Sequence, residues 1–260
     1  MAPARLLPLA AALLAGALNA VAGGGSFFTF PALVAFAGLG SITANATSTV
    51  ALWPASLAGA LAYRRDVGLG RGHLVAWGAA SLAGGALGAG LLLRTPARLF
   101  DAIVPFLVLL ATAVFSFGGA LTGRLRARRP ASPGEAAPPP LLTGTLVQFT
   151  VGIYGGYFGG GIGFMMLAAF VLLGLREMNA MNGLKNLFAL LMNGAAVVIF
   201  VASGAVAWRV ALPMALAASA GGYAGAAAAR RVDARYVRPA VAAVGWAITA
   251  YFFYRAYGRA

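Results

Sequence analysis

Cysteine is absent from this chain, so it has no disulfide, no thiol nucleophile and no cysteine-based metal site. Histidine occurs once, at His73, and one imidazole cannot build a metal centre alone. The acidic residues are five: Asp66, Asp101, Glu135, Glu177 and Asp233. All lie in loops or at the ends of apolar runs. There is therefore no paired-carboxylate site, and no intramembrane acid to bind sodium or relay protons. A Ser-His-Asp set is not assembled from these parts either. The shortage disfavours an enzyme and a metal or organic cofactor, and it disfavours a cation carrier more than an anion carrier. Charged residues of both signs make up 9% of the chain, against about 25% in soluble domains.

What is abundant is apolar. Hydrophobic residues reach 61%, in runs at 6–22, 26–40, 44–63, 73–93 and 99–121, then 141–158, 162–175, 178–202, 208–228 and 236–257. The pattern predicts an all-α polytopic membrane protein whose first partner is the lipid bilayer. The net charge of +14 raises nucleic acid as a partner. The basic residues sit at the ends of apolar runs, however, where they meet phospholipid headgroups, and nucleic-acid binding is set aside on that ground. His73, at the start of a run, reads as interfacial.

Two glycine clusters organise the rest. Gly23, Gly24 and Gly25 are followed by Ser26, Phe27, Phe28, Thr29, Phe30 and Pro31; Gly159, Gly160 and Gly161 are followed by Ile162, Gly163 and Phe164. Each cluster lies between apolar runs of about 14 residues, roughly 21 Å of helix. That is short of a hydrocarbon core of about 30 Å. Each is expected to be a pair of half-helices meeting at a break, and the freed backbone must be buried in protein or line a polar cavity. Arg5, the run 6–17 and residues 19–22 also look like a secretory signal. The same run-plus-glycine pattern at 141–161 cannot be one, so the first segment is expected to be retained.

The order of the segments suggests duplication. Gly23–Gly25 maps to Gly159–Gly161 at an offset of 136; Asn45 to Asn182, Gly84 to Gly221, Arg94 to Arg231 and Arg98 to Arg235 all map at 137. A single one-residue insertion accounts for the change. The expected domains are a first repeat at 1–121, a cytoplasmic basic and proline-rich linker at 122–140, and a second repeat at 141–260. Each repeat would hold one Gly-broken short-helix pair, re-entrant or crossing twice, and three transmembrane helices. With Arg124, Arg126, Arg128 and Arg129 inside, alternation puts Arg64, Arg65, Arg71, Arg176, Arg230, Arg231, Arg235 and Arg238 inside too. Fewer basic residues, Arg5, Arg94, Arg98, Arg209, Arg255 and Arg259, fall outside. The loop at 94–98 is then outside and its repeat partner inside, so the repeats are inverted and both termini are outside.

The interior carries amides, hydroxyls and one lysine. Asn182, Lys185 and Asn186 stand at i, i+3 and i+4 on one helix face, with Asn193 two turns on; Asn45, Ser48 and Thr49 hold the equivalent places in the first repeat. Half-helix starts at Ser26 and Ile162 would offer unpaired N–H groups and the positive end of a helix dipole. Together these point to a small anion bound by Gly23, Gly24, Gly25, Ser26, Asn45, Ser48, Thr49, Gly159, Gly160, Gly161, Asn182, Lys185 and Asn186. Other readings stand beside this one. Gly84/Gly88 and Gly221/Gly225 read as helix-packing pairs. Any single Asn or Thr can serve only to tie helices together, and Lys185 can snorkel to the nearby face. Asn19 and Gln148, within the first half-helices, are weaker candidates. Trp53, Trp77, Trp208 and Trp246 read as packing or interfacial residues.

The duplicated triple glycine, Pro31, the Asn45-Ala46-Thr47-Ser48 stretch and the basic Pro-rich linker resemble the TauE/SafE sulfite exporter family, also called the 4-toluenesulfonate uptake permease family. The resemblance covers essentially the whole chain. The second copy departs from it, with Leu167 where the offset of 136 would put Pro31. The resemblance implies transport of sulfite, organosulfonates or related small anions, often outward, in a bacterial inner membrane. The expected function is a secondary transporter using alternating access, since no ATPase motif is present. The alternatives are a passive anion channel and, more remotely, a membrane-embedded enzyme or scaffold. A homo-oligomer is an open expectation.

Overall fold

The computed structural model describes residues 3–21, 25–62, 64, 67–127, 139–228 and 234–258. Among these residues there are ten helices and no strand: α1 (Pro3–Val21), α2 (Ser26–Ala35), α3 (Ser41–Ala62), α4 (Arg71–Arg94), α5 (Ala97–Ala127), α6 (Leu141–Tyr157), α7 (Ile162–Leu172), α8 (Met178–Ala202), α9 (Trp208–Ala228) and α10 (Ala234–Tyr257). They follow the ten apolar runs in order. α4, α5 and α8 are long and apolar enough to cross a membrane. α3, α9 and α10, at 22, 21 and 24 residues, reach the length as well.

The short elements are α2, with 10 residues, α7 with 11 and α6 with 17. α1 differs from the expected run of about 14: it has 19 residues, because helix continues through Pro8 to Pro3. Helix also covers the first residues of the expected linker at 122–140. α5 runs to Ala127, where Leu, Thr and Arg continue the helix without a breaker other than Gly123. Residues 128–138, the core of the expected linker, lie outside the described residues.

Small residues bring backbones together. α4 packs along α6 where Gly84, Gly85 and Gly88 meet Gly152 and Gly156, and α1 packs along α9 where Gly16 and Gly221 face Ala218 and Leu13. In lipid there is little hydrophobic drive between helices, so close backbone approach supplies the adhesion. The two seams correspond. Gly84 lies on the Phe149 carbonyl and Gly221 on the Leu13 carbonyl, while Gly152 lies on Ser81 and Gly16 on Ala218. Residues 137 apart also meet directly. The Thr112 and Thr249 hydroxyls are 2.9 Å apart, joining α5 to α10, and Trp53 Nε1 donates to the Leu190 carbonyl at 3.1 Å, joining α3 to α8.

Two apolar clusters fill the interior. One is built around Phe30, Phe100, Phe158, Phe200 and Phe252; the other around Trp77, Phe170, Phe188, Met181 and Met192. Outside, Leu13, Leu87, Phe106, Phe117, Leu146, Val198, Leu212 and Leu216 are exposed, far more apolar surface than water tolerates and suited to acyl chains.

Candidate functional site

The second break is fully described. α6 ends at Tyr157, and Gly159 and Gly161 take left-handed φ of 77° and 72° before α7 begins. Only glycine adopts these angles without strain, so the chain can leave one helix and enter the next within four residues. The orphan carbonyls of the break have specific donors. Asn45 Nδ2, from α3, donates to the Tyr157 carbonyl at 3.0 Å, and the Tyr154 hydroxyl donates to the Gly160 carbonyl at 2.7 Å. The Gly159 N–H returns to the Tyr154 carbonyl at 3.2 Å. Neither α2 nor α7 has a side-chain cap at its N-terminus.

At the first break, Gly23 and Gly24 lie outside the described residues. Gly25 is helical, φ −58°, unlike its counterpart Gly161, and its N–H donates to Asn19 Oδ1 at 3.4 Å. Thr29, one turn into α2, shares a 2.5 Å hydroxyl contact with Ser48 of α3.

Between the breaks lies a cavity of about 60 Å³. A water needs roughly 10–15 Å³ by this measure, so the space suits a few waters or one small oxyanion. α3 contributes Thr49, Leu52, Trp53 and Ser56; α8 contributes Lys185, Asn186, Ala189 and Asn193. Asn19, Gly25 and Ser26 close it from the first break, and Phe158, Gly159, Ile162 and Gly163 from the second. Thr49 stands about 12 Å along α3 and Lys185 about 11 Å along α8, at 1.5 Å per residue. The two helices meet at Trp53 and Leu190, near the middle of both.

Lys185 is 4% exposed, and among the described residues no carboxylate lines the cavity with it. Among the described residues it has neither a hydrogen bond nor an ion pair. Thr49 and Ser56 donate back to their own helix, to the Asn45 and Leu52 carbonyls at 3.0 and 3.4 Å. Lys185 and the amides of Asn19, Asn186 and Asn193 are the other polar side chains of the lining, with the Trp53 indole and the Ser26 hydroxyl.

Of the expected ligands, the cavity brings together Gly25, Ser26, Thr49, Gly159, Lys185 and Asn186. Asn45, Ser48, Asn182, Gly160 and Gly161 are not in its lining. Asn45 holds the second break and Ser48 holds α2; the buried Gln148 donates to Ser81 Oγ at 2.9 Å and so joins α6 to α4. The cavity adds Trp53, Ser56 and Asn193 to the expected set. A signal for the last two was present: Ser56 and Asn193 stand seven residues beyond Thr49 and Asn186, on the same stripes.

The family model for the sulfite exporter TauE/SafE matches residues 8–252. The chain belongs to the TauE/SafE sulfite exporter family. This TauE/SafE chain is 30% identical to the "Probable membrane transporter protein ORF9" of a Sinorhizobium species, over 92% of this chain and 88% of that protein. It is 28% identical to a "Probable membrane transporter protein" of Haemophilus influenzae, over 91% and 89% of the two chains. No solved structure matches it. The chain is accordingly a membrane transporter of that family.

Proposed function

We propose that this protein is a secondary transporter for small oxyanions, with sulfite as the best-fitting substrate, bound between the two helix breaks. The observation that carries the reading is Lys185. A buried cation without a counter-charge is costly, and here it opens on a small cavity lined, among the described residues, by amides and no carboxylate. A bound anion would supply the missing charge. The volume favours sulfite over bulkier organosulfonates in this conformation. Asn186, Asn193 and Asn19 would donate to its oxygens, and the α7 start would add its dipole. Lys185→Ala is expected to abolish saturable sulfite uptake.

The reading includes inverted repeats at 1–121 and 141–260, a cytoplasmic linker and a bacterial inner-membrane location. The seam contacts that recur at the repeat offset support the repeats, and so do the two contacts between residues 137 apart, as equivalent positions beside a two-fold axis would make. The cavity sits beside one of those contacts, where an alternating-access site belongs. Counterflow of radiolabelled sulfite in proteoliposomes tests the mechanism. Trans-stimulation is expected; saturable flux without it would indicate a passive channel, and no sulfite flux would refute the assignment.

A further inference from the structure

A second cavity, of about 300 Å³, lies at one end of the bundle, where the starts of α3 and α5 meet the end of α10. Ser41, Arg98, Asp101, Ala102, Phe252 and Arg255 line it. Two exposed arginines share this lining with one carboxylate, Asp101, which accepts a hydrogen bond from the Ser41 hydroxyl. Among the described residues neither arginine is paired with an acid. A guanidinium fork suits an oxyanion in two-point contact.

Phe252, in the lining of this cavity, is linked to the first cavity by two ring contacts. Phe252 stacks on Phe30 with centroids 5.7 Å apart, and Phe30 meets Phe158 edge-on at 5.4 Å. Phe158 is itself a wall of the Lys185 cavity. The three rings are 1–4% exposed. They come from three parts of the chain: α2, the second break and α10. An apolar constriction of this kind excludes a hydrated anion until the rings part.

We propose that the Arg98–Arg255 cavity is a second anion site, the vestibule for the transported oxyanion, and that Phe252, Phe30 and Phe158 form its closed gate to the Lys185 cavity. The identity of the ligand rests on the transport reading; the gate does not. An oxyanion at the arginines could be free or belong to a phospholipid headgroup, and the test separates the two.

The natural absence of cysteine makes single-cysteine labelling direct. Ala102→Cys reports the vestibule and Thr49→Cys the inner cavity. A membrane-impermeant thiol reagent is added on the side where Ala102→Cys reacts. Thr49→Cys is expected to be protected from that side, and to react at least tenfold faster once Phe30→Ala or, in a separate variant, Phe252→Ala is added. Equal rates with the gate intact and opened would overturn the gate. For each gate variant, unchanged Ala102→Cys labelling and a monodisperse elution profile establish the fold. Sulfite is expected to slow Ala102→Cys labelling, and Arg98→Gln with Arg255→Gln to remove that protection. Protection by anionic lipid but not by sulfite, or by neither, would overturn the vestibule. The gate measurement needs no transport, so it succeeds or fails apart from the sulfite assignment.

Discussion

Replacing Gly88 by alanine should open the α4–α6 seam, and Gly90 supplies the control on the same helix. A methyl at Gly88 would sit 2.7 Å from the Tyr157 nitrogen and 3.0 Å from the Gly156 carbonyl carbon, and closer still to the Ile153 carbonyl oxygen. Ordinary contacts lie at about 3.5–4.0 Å. The obstacles are all backbone, so no side chain can rotate away and the helices must part by roughly 1 Å. Overpacking of this kind costs about 1–3 kcal/mol. At Gly90 nothing stands within 4 Å of the added methyl. Alanine's helix-propensity gain of about 1 kcal/mol is common to both variants and cancels in the comparison. Gly88→Ala should therefore be less stable than Gly90→Ala by about 1–3 kcal/mol, or several degrees at roughly 2–4 °C per kcal/mol for a chain of this size. Thermal unfolding in detergent, followed by tryptophan fluorescence, measures it. Equal stability of the two variants would refute the close-seam reasoning.

Three further outcomes follow from the same geometry. Gly161→Ala forces a side chain into φ 72° and should cost about 1–2 kcal/mol, lowering the melting temperature and slowing transport. Asn45→Ala leaves the Tyr157 carbonyl without its donor; it should cost about 1–3 kcal/mol of stability while the apparent KM for sulfite stays put, whereas Asn186→Ala should raise KM. Thr112→Val and Thr249→Val should couple by about 0.5–1.5 kcal/mol in a double-mutant unfolding cycle, since each hydroxyl keeps a carbonyl of its own helix when the other is removed.

Sequence made the helices legible because membrane segments declare themselves by length and hydropathy, and the ten runs match the ten helices within a few residues. The ends were less legible: α1 and α5 continue through residues that composition alone assigns to flanks or linker. For the site, spacing placed Thr49, Lys185 and Asn186 on the helix faces that line the cavity. It could not distinguish an amide aimed at a cavity from one aimed at a neighbouring backbone. Asn45 and Lys185 look alike as intramembrane polar residues, yet Asn45 meets the exposed carbonyl of a terminated helix and Lys185 meets open space. Ser48 stands 137 residues before Lys185, the expected repeat offset, but touches Thr29 of α2 and is not in the cavity lining. The aromatic gate left no trace in periodicity, because its rings come from distant parts of the chain.

Lys185→Met tests the central claim most directly, through sulfite binding and thermal stability measured on the same purified protein. A buried cation with no acid beside it among the described residues burdens the fold unless a ligand offsets it. The variant should be monodisperse and at least as thermostable as the parent, and should bind sulfite at least tenfold more weakly. A folded Lys185→Met protein that binds sulfite as tightly as the parent would contradict the account.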